Sequence, residues 1–276
     1  MDESVAIVLP VRNLAGSVET PIKTWCNALA NLGRAWELLV VDDGSTDGTE
    51  TKLDAVKRPN VRILKLGTPQ GQGACLRAAL AETNHPLLLL AGSEYPYSPG
   101  DVKLLLHRIE TESEVPDPAT GEFVLRKPDA VCGCRTGVPV PMSFKVAGWL
   151  YRWFCKIALG LPLQRLPGWY GFREHAFAWW AWIVYGVPLE DPNARFKLFR
   201  TAFLKRFPIQ SDGDFVHIEL IAKATFLTCV LDEVPLTPQR QSIPKATWTK
   251  ADRKRVFQKP EFAVRKETTP APLQTV

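Results

Sequence analysis

Three short apolar runs open the chain at near-regular intervals: VAIVLPV (Val5 to Val11), WELLVVDD (Trp36 to Asp43) and VRILKLG (Val61 to Gly67). Each is rich in β-formers and gives way to polar turn residues, which predicts three strands. A helical stretch from about Ser17 to Leu32 lies between the first two, making a β-α-β unit. After the third run, GQGACLRAALAET opens on glycine and carries Ala and Leu at helical spacing. Pro86 to Ala91 predicts a fourth strand and DAVCGCR (Asp129 to Arg135) a fifth. Continuous apolar strands alternating with helices imply an α/β fold whose parallel sheet is covered on both faces. Ligands of such sheets bind in the crevice beyond the carboxyl ends of the strands. Arg12, Asn13, Asp42, Asp43, Glu94 and Arg135 all follow strands, so they are expected to converge on one rim.

Between Trp149 and Trp182 the pattern changes, because six of the nine tryptophans fall there. WFCKIALGLPL from Trp153 and WWAWIVYGVPL from Trp179 echo each other at an offset of 26, pairing Trp153 with Trp179, Ile157 with Ile183 and Gly160 with Gly186. This predicts paired amphipathic helices ending at Gly-x-Pro-Leu turns. Neither run approaches the ~20 residues needed to span a bilayer. A mixture of Trp, Tyr, Arg and Lys suits a helix lying in the headgroup region. An aromatic pair packed on the sheet or on another subunit is the alternative. After Arg240 the chain turns rich in Lys, Arg, Pro and Thr with few apolar anchors, which predicts a mobile tail or a partly ordered flap.

Composition narrows the classes. A chain of 276 residues that is 46% hydrophobic has ample material for a core. The net charge of +5 is mild and scattered outside the C-terminal stretch, which argues against a dedicated nucleic-acid binder. It is compatible with weak attraction to anionic phosphates or lipid headgroups. The six cysteines, at 26, 75, 132, 134, 155 and 229, form no CxxC pair and read as reduced, mostly buried thiols. MDESVAIVLPV lacks the basic start and long apolar region of a secretory signal, so the expected location is cytoplasmic, with peripheral contact at the inner face of a membrane.

LPVRN, VVDDGSTDGT, GQGACLRAAL, VCGCR, DPNARFKLFR, HIELIAKA and DEVPL occur in that order. Together they resemble the inverting family-two glycosyltransferases of the A-type fold, in particular the dolichyl- and polyprenyl-phosphate mannose synthases, over roughly residues 5 to 240. The resemblance implies a Rossmann-like, mostly parallel central sheet flanked by helices. It implies one domain over 1–240, with a nucleotide-binding half (1–135), an acceptor half (136–240) and an aromatic-rich interfacial segment at about 145–189. The basic tail, 241–276, follows.

A carboxylate at the end of the second strand can accept from the imide N–H of uracil or from N1–H and the amino group of guanine, so Asp42 or Asp43 can select a nucleobase. The resemblance assigns base and ribose to Pro10, Arg12, Asn13 and Asp43. The bland alternative is that Asp43-Gly44-Ser45 and Asp47-Gly48 make a turn and a helix cap. Leu14 stands where the family has an acid, which removes one ribose contact. GQGA resembles the family's Gly-rich turn, implying that amides from Gly71 onward lie near the nucleotide. The fourth strand of the family ends in a metal-binding Asp-x-Asp; alignment on Ser98-Pro99 puts Gly92 and Glu94 there, with Pro96 where mannose-synthase-like members carry a glutamine. Magnesium often needs one or two carboxylates beside substrate phosphates. Three outcomes stay open: Mg²⁺ or Mn²⁺ held by Glu94, a metal-free site neutralised by Arg and Lys, or an inactive site.

For the acceptor half, the resemblance makes Asp191 the base candidate for a hydroxyl acceptor. A polyprenyl phosphate acceptor is already anionic, and Arg135, Lys197 and Arg200 are then the candidates to grip it. A solvated basic face is the alternative for the latter two. Glu219 matches the family's helix acid and is assigned to the acceptor site, with a structural cap or ion pair as its equal alternative. The resulting expectation is transfer of a hexose from a nucleoside-diphosphate sugar to a polyprenyl phosphate or another membrane-proximal acceptor, with inversion. The alternative, prompted by Gly92 and Pro96, is an impaired glycosyltransferase-like protein that binds a nucleotide or a partner.

Overall fold

The computed structural model describes residues 2–91, 97–116, 122–135, 194–237 and 250–262. Strands β1 (Val5–Val11), β2 (Trp36–Asp43), β3 (Val61–Leu66) and β4 (Leu87–Leu90) form where the apolar runs predict them. Helices α1 (Glu19–Ala30), α2 (Thr49–Asp54) and α3 (Gln72–Glu82) connect them. Beyond β4 come α4 (Val102–Glu110), a hairpin of β5 (Ser113–Pro116) and β6 (Phe123–Arg126), and β7 (Ala130–Arg135). The described chain resumes with β8 (Lys197–Arg200), the one-turn α5 (Thr201–Leu204), α6 (Val216–Phe226), β9 (Leu231–Leu236) and α7 (Lys250–Gln258).

Seven strands make one sheet in the order β3-β2-β1-β4-β8-β7-β9. The sheet is mostly parallel, as the hydrophobic pattern implies; β8 is antiparallel to both its neighbours. Side-chain period does not encode strand direction, so this reversal leaves no mark in the sequence. Burial on both faces explains the unbroken apolar runs: Leu87 to Leu90 are wholly buried, as are Val5 to Leu9. Val8, Val41, Leu88 and Leu90 pack on α3, α5 and α6 on one face. Val5, Ile7, Leu38 and Leu89 pack on α1 and α4 on the other. DEVPL becomes part of the edge strand β9, paired in parallel with β7.

Of the two expectations for the C-terminal stretch, the partly ordered one describes 250–262. Helix α7 buries Val256 against Phe215 and Ile218 of the α6 region. Around it, Gln210 donates to the Lys259 carbonyl at 2.9 Å, the Glu261 amide donates to Gln210 Oε1 at 3.0 Å, and the Phe262 and Phe226 rings meet edge to face. A few apolar anchors in a basic background suffice to dock a short helix, which composition averages away. The tryptophan-rich segment lies outside the described residues. Among the described residues no helix is long and apolar enough to cross a membrane.

Candidate functional site

The carboxyl ends of β1 and β2 lie side by side, with Val11 in register with Asp42. Arg12 and Asn13 therefore follow β1 beside Asp42 and Asp43 at the end of β2, as expected of the rim. Arg12 is exposed there, while the two aspartates are buried to within a few per cent. The loops after these strands are laced together. The Asn13 amide donates to Ser45 Oγ at 3.0 Å, and Ser45 Oγ–H donates to Asp42. The Thr46 amide donates to Asn13 Oδ1 at 3.0 Å, and Asn13 holds a left-handed backbone at φ 50°. Asp47 accepts from the Ala15 and Thr49 amides and from the Thr49 hydroxyl, whose oxygen accepts from the Leu14 amide. The Thr49 and Ala15 hydrogen bonds hold the Asp47 carboxyl below the usual carboxylate range. The turn half of the turn-and-cap reading of DDGSTDGT is thus realised and serves to fix the rim, while the N-cap of α2 is Gly48, in a left-handed conformation and without a side-chain cap.

Asp43 accepts from the Gln70 amide at 2.7 Å and from the Gly71 amide at 2.9 Å, which ties the β3–α3 turn to the end of β2. A carboxylate has about four lone-pair sites, so Asp43 retains acceptor capacity beyond these bonds. The expected role of the Gly-rich turn needs correction. The amides of Gly73 and Ala74, which open α3, donate to the Asp212 carbonyl at 2.7 and 3.2 Å. The helix N-terminus, a natural anion site, is therefore capped by the protein's own backbone. Gly71 sits at φ 104°, and a Cβ there would lie 2.7 Å from the Asp212 carbonyl oxygen; at Gly73 it would lie 2.0 Å from that of Ser211. These glycines admit another stretch of backbone.

The acceptor candidates divide. The backbone of Arg135 ends β7 on the same rim, opposite Leu236. Lys197 opens β8 beside Leu90 and Cys132 at that end of the sheet, wholly buried, and donates to the Ala194 carbonyl. It lies near His217, whose imidazole is held well below its ordinary value by burial and then by the charges of Lys197 and Arg195. His217 also meets Gln72 Oε1 at 2.9 Å, and Arg195 pairs with Asp214 at 2.9 Å. Neither His217 nor Asp214 stands among the expected site residues; a histidine within the apolar first turn of α6 was the available signal for His217, and the polar run 210–214 gave none specific to Asp214.

Arg200 is not brought to this rim. It is in register with Leu87, at the opposite end of the sheet, and its guanidinium bridges Glu3 and the carbonyls of Ile109 and Pro128. Glu219 is wholly buried and accepts from the Gln210 and Ser211 amides and from Lys223 Nζ, each at 2.7 Å. Its carboxylate is taken up by the amides of the 210–211 loop and by Lys223, which is the ion-pair alternative. Glu94 and Asp191, the metal and base candidates, lie outside the described residues. Among the described residues no three His, Cys, Asp or Glu side chains gather as a cation site.

Residues 6–121 match the sequence model of Glycosyl transferase family 2. That stretch holds β1 to β4 and so the whole laced rim. A relative in Salmonella typhimurium, undecaprenyl-phosphate 4-deoxy-4-formamido-L-arabinose transferase, is 27% identical over 116 residues, 41% of this chain and 36% of that protein. The same enzyme of Salmonella newport matches equally. The match thus spans about a third of those relatives. Among solved structures, glucosyl-3-phosphoglycerate synthase from Mycobacterium tuberculosis with Mn²⁺, uridine diphosphate and phosphoglyceric acid superposes with a TM-score of 0.58 at 18% identity, over 88% of this chain and 72% of that one. Its complex with Mn²⁺ and UDP-glucose gives 0.57. At that identity the likeness establishes the A-type glycosyltransferase fold.

Proposed function

We propose that the chain is an inverting glycosyltransferase that takes a hexose from a nucleoside-diphosphate sugar and delivers it to a polyprenyl phosphate or another membrane-proximal acceptor. The observation that carries this reading is the laced rim, where Asp42, Asp43, Arg12 and Asn13 stand together within the stretch that matches family 2. The uridine-diphosphate complexes of the structural neighbour and the lipid-phosphate acceptor in the name of the Salmonella relative support it.

In the proposed reaction an acceptor oxygen attacks the anomeric carbon from the face opposite the diphosphate. The new glycosidic C–O bond forms as the bond to the diphosphate breaks, and the electron pair leaves with the nucleoside diphosphate. A lipid phosphate attacks as an anion and releases no proton; a hydroxyl acceptor must lose one, and Asp191 is the candidate to take it. Asp43, held by the turn at Gln70 and Gly71, is preset to accept from a nucleobase N–H. Arg12, which follows β1 beside it, is suited to the ribose and phosphates, and Arg135, ending β7 on the same rim, is the candidate for the acceptor phosphate. Glu94, at the position where the resembling family carries its metal-binding acid, is the candidate ligand for a divalent ion. A cation there would neutralise the departing diphosphate.

Isothermal titration with uridine and guanosine diphosphates, each with and without Mn²⁺, tests the reading. Binding of one of them, tighter with metal and weakened at least about tenfold by Asp43→Ala, is expected, in line with the loss of a charge-assisted hydrogen bond. Failure to bind either sinks the reading. Binding without sugar consumption over a lipid extract would favour the catalytically impaired alternative that Gly92 and Pro96 motivate.

A further inference from the structure

We propose that the C-terminal helix α7 is a working part of the donor pocket, acting through Asp212 as a positioning residue that holds Asp43 in place. The inference rests on the donor-site reading above, and it starts from a residue outside every expected set. Asp212 lies on the loop between α5 and α6, and its two carboxylate oxygens are taken by arginines from different elements. Arg77 of α3 meets one oxygen, and Arg255 of α7 meets the other at 2.7 Å. Arg255 is itself steadied by Asp252 at 2.8 Å. Asp212 thus joins a helix of the nucleotide-binding half to one nearly two hundred residues later in the chain.

The backbone carries the connection onward. The Asp212 carbonyl receives the Gly73 and Ala74 amides, and Arg77 donates to the carbonyls of Ser211 and Ile209 at 2.7 and 3.2 Å. The approach is so close that no side chain fits at Gly71 or Gly73. Two and three residues before Gly73, the amides of Gly71 and Gln70 grip the Asp43 carboxylate. A shift of the 211–213 loop must move the first turn of α3, and with it the two donors that orient Asp43. Helix α7 restrains that loop through Arg255, through Val256 packed on Phe215 and Ile218, and through the Gln210 contacts with Lys259 and Glu261. Burial alone would raise the Asp212 carboxyl, but hydrogen bonds from Arg255 and Arg77 outweigh it and hold the group below its ordinary value, so it stays anionic at neutral pH. Asp212 and Arg255 are both part-exposed, and such pairs are individually weak. The expected effects are therefore moderate.

The experiment uses the full chain and reads two quantities: affinity for uridine and guanosine diphosphates by titration, and amide hydrogen exchange resolved to segments. Arg255→Gln is expected to weaken nucleotide binding about threefold and Asp212→Ala about tenfold, with Arg255→Lys close to the unaltered chain and the double variant no worse than Asp212→Ala, as for residues acting in one network. Exchange at Gln70 to Ala74 should quicken in both single variants while β9, at the far edge, keeps its protection. Unchanged affinity together with unchanged exchange at 70–74 overturns the proposal, as does a uniform loss of protection, which would mean general destabilisation. If Asp212→Ala does not fold, Arg255→Gln, altered at a half-exposed side chain, decides. If the unaltered chain binds neither nucleotide, the donor reading falls, and exchange at 70–74 still decides whether α7 governs that turn.

Discussion

Glu219 carries its charge with no exposed surface, and three donors converge on it. Removing one member of such a buried pair leaves the other uncompensated. Glu219→Ala is therefore expected to cost about 3–5 kcal/mol in chemical denaturation; an acceptor-binding role without a structural one would leave stability unchanged. Gly73→Ala drives a Cβ into the Ser211 carbonyl, and a loss of roughly 1–3 kcal/mol or more is expected from such overpacking. An equal midpoint in urea for this variant and the unaltered chain would refute the close approach. Both residues show the limit of sequence reading at this scale. That a glycine-rich turn opens the helix after β3 was legible, but the need for glycine at 71 and 73 was not, because the backbone they admit belongs to a loop far along the chain. Asp42 and Asp43 were legible as rim residues because they end a strand, and strand ends are local. Arg200 misled because one strand places its two ends on opposite sides of the sheet: Lys197 and Arg200, three apart, open and close β8.

Among the elements, those with a strong local period were readable almost to the residue: β1 and β2 match the predicted bounds, and α1 falls within its predicted span. The β5–β6 hairpin, α2, α5 and β8 were missed, each being four to six residues and without a sustained period, and α4, nine residues of amphipathic helix, was not predicted either. The clasp between the loops after β1 and β2 adds something that neither strand has alone. Side chains of Asn13, Ser45, Asp47 and Thr49 each accept from an amide of the other loop. Asp47→Ala frees the Ala15 and Thr49 amides together. The expected result is nucleotide affinity lowered severalfold with a melting temperature little changed, since the clasp lies at the exposed rim and the core is untouched. Equal affinity by titration would show that the rim holds its shape without it.

For the whole molecule, acid is the expected weakness. His217 is held neutral in the folded chain, well below its ordinary value of 6.5, chiefly by burial and then by Lys197 and Arg195. The unfolded chain takes up a proton there as pH falls below about 6.5 while the folded one does not, so stability drops with falling pH. The lowered carboxyls act in the same direction at lower pH: the Arg34 hydrogen bond holds Glu110 down, and its contribution, complete above the ordinary carboxylate value, is lost as pH falls through the folded one. Denaturation curves between about pH 6.5 and 5 should show a shallower fall for His217→Gln than for the unaltered chain; parallel slopes would contradict a neutral buried imidazole.

The reversed strand β8 also sets a timetable. Leu87 to Leu90 can be sheathed on that side only when Lys197 to Arg200 arrive, roughly a hundred residues later, which is several seconds of synthesis at the usual ribosomal pace of about 5–20 residues per second. For that interval four leucines form a bare ribbon edge, a template for any passing strand. A nascent chain of this kind is a natural client for a chaperone that shields apolar segments, and one released early, at Arg135, is expected to pellet on centrifugation while the completed chain stays in the supernatant.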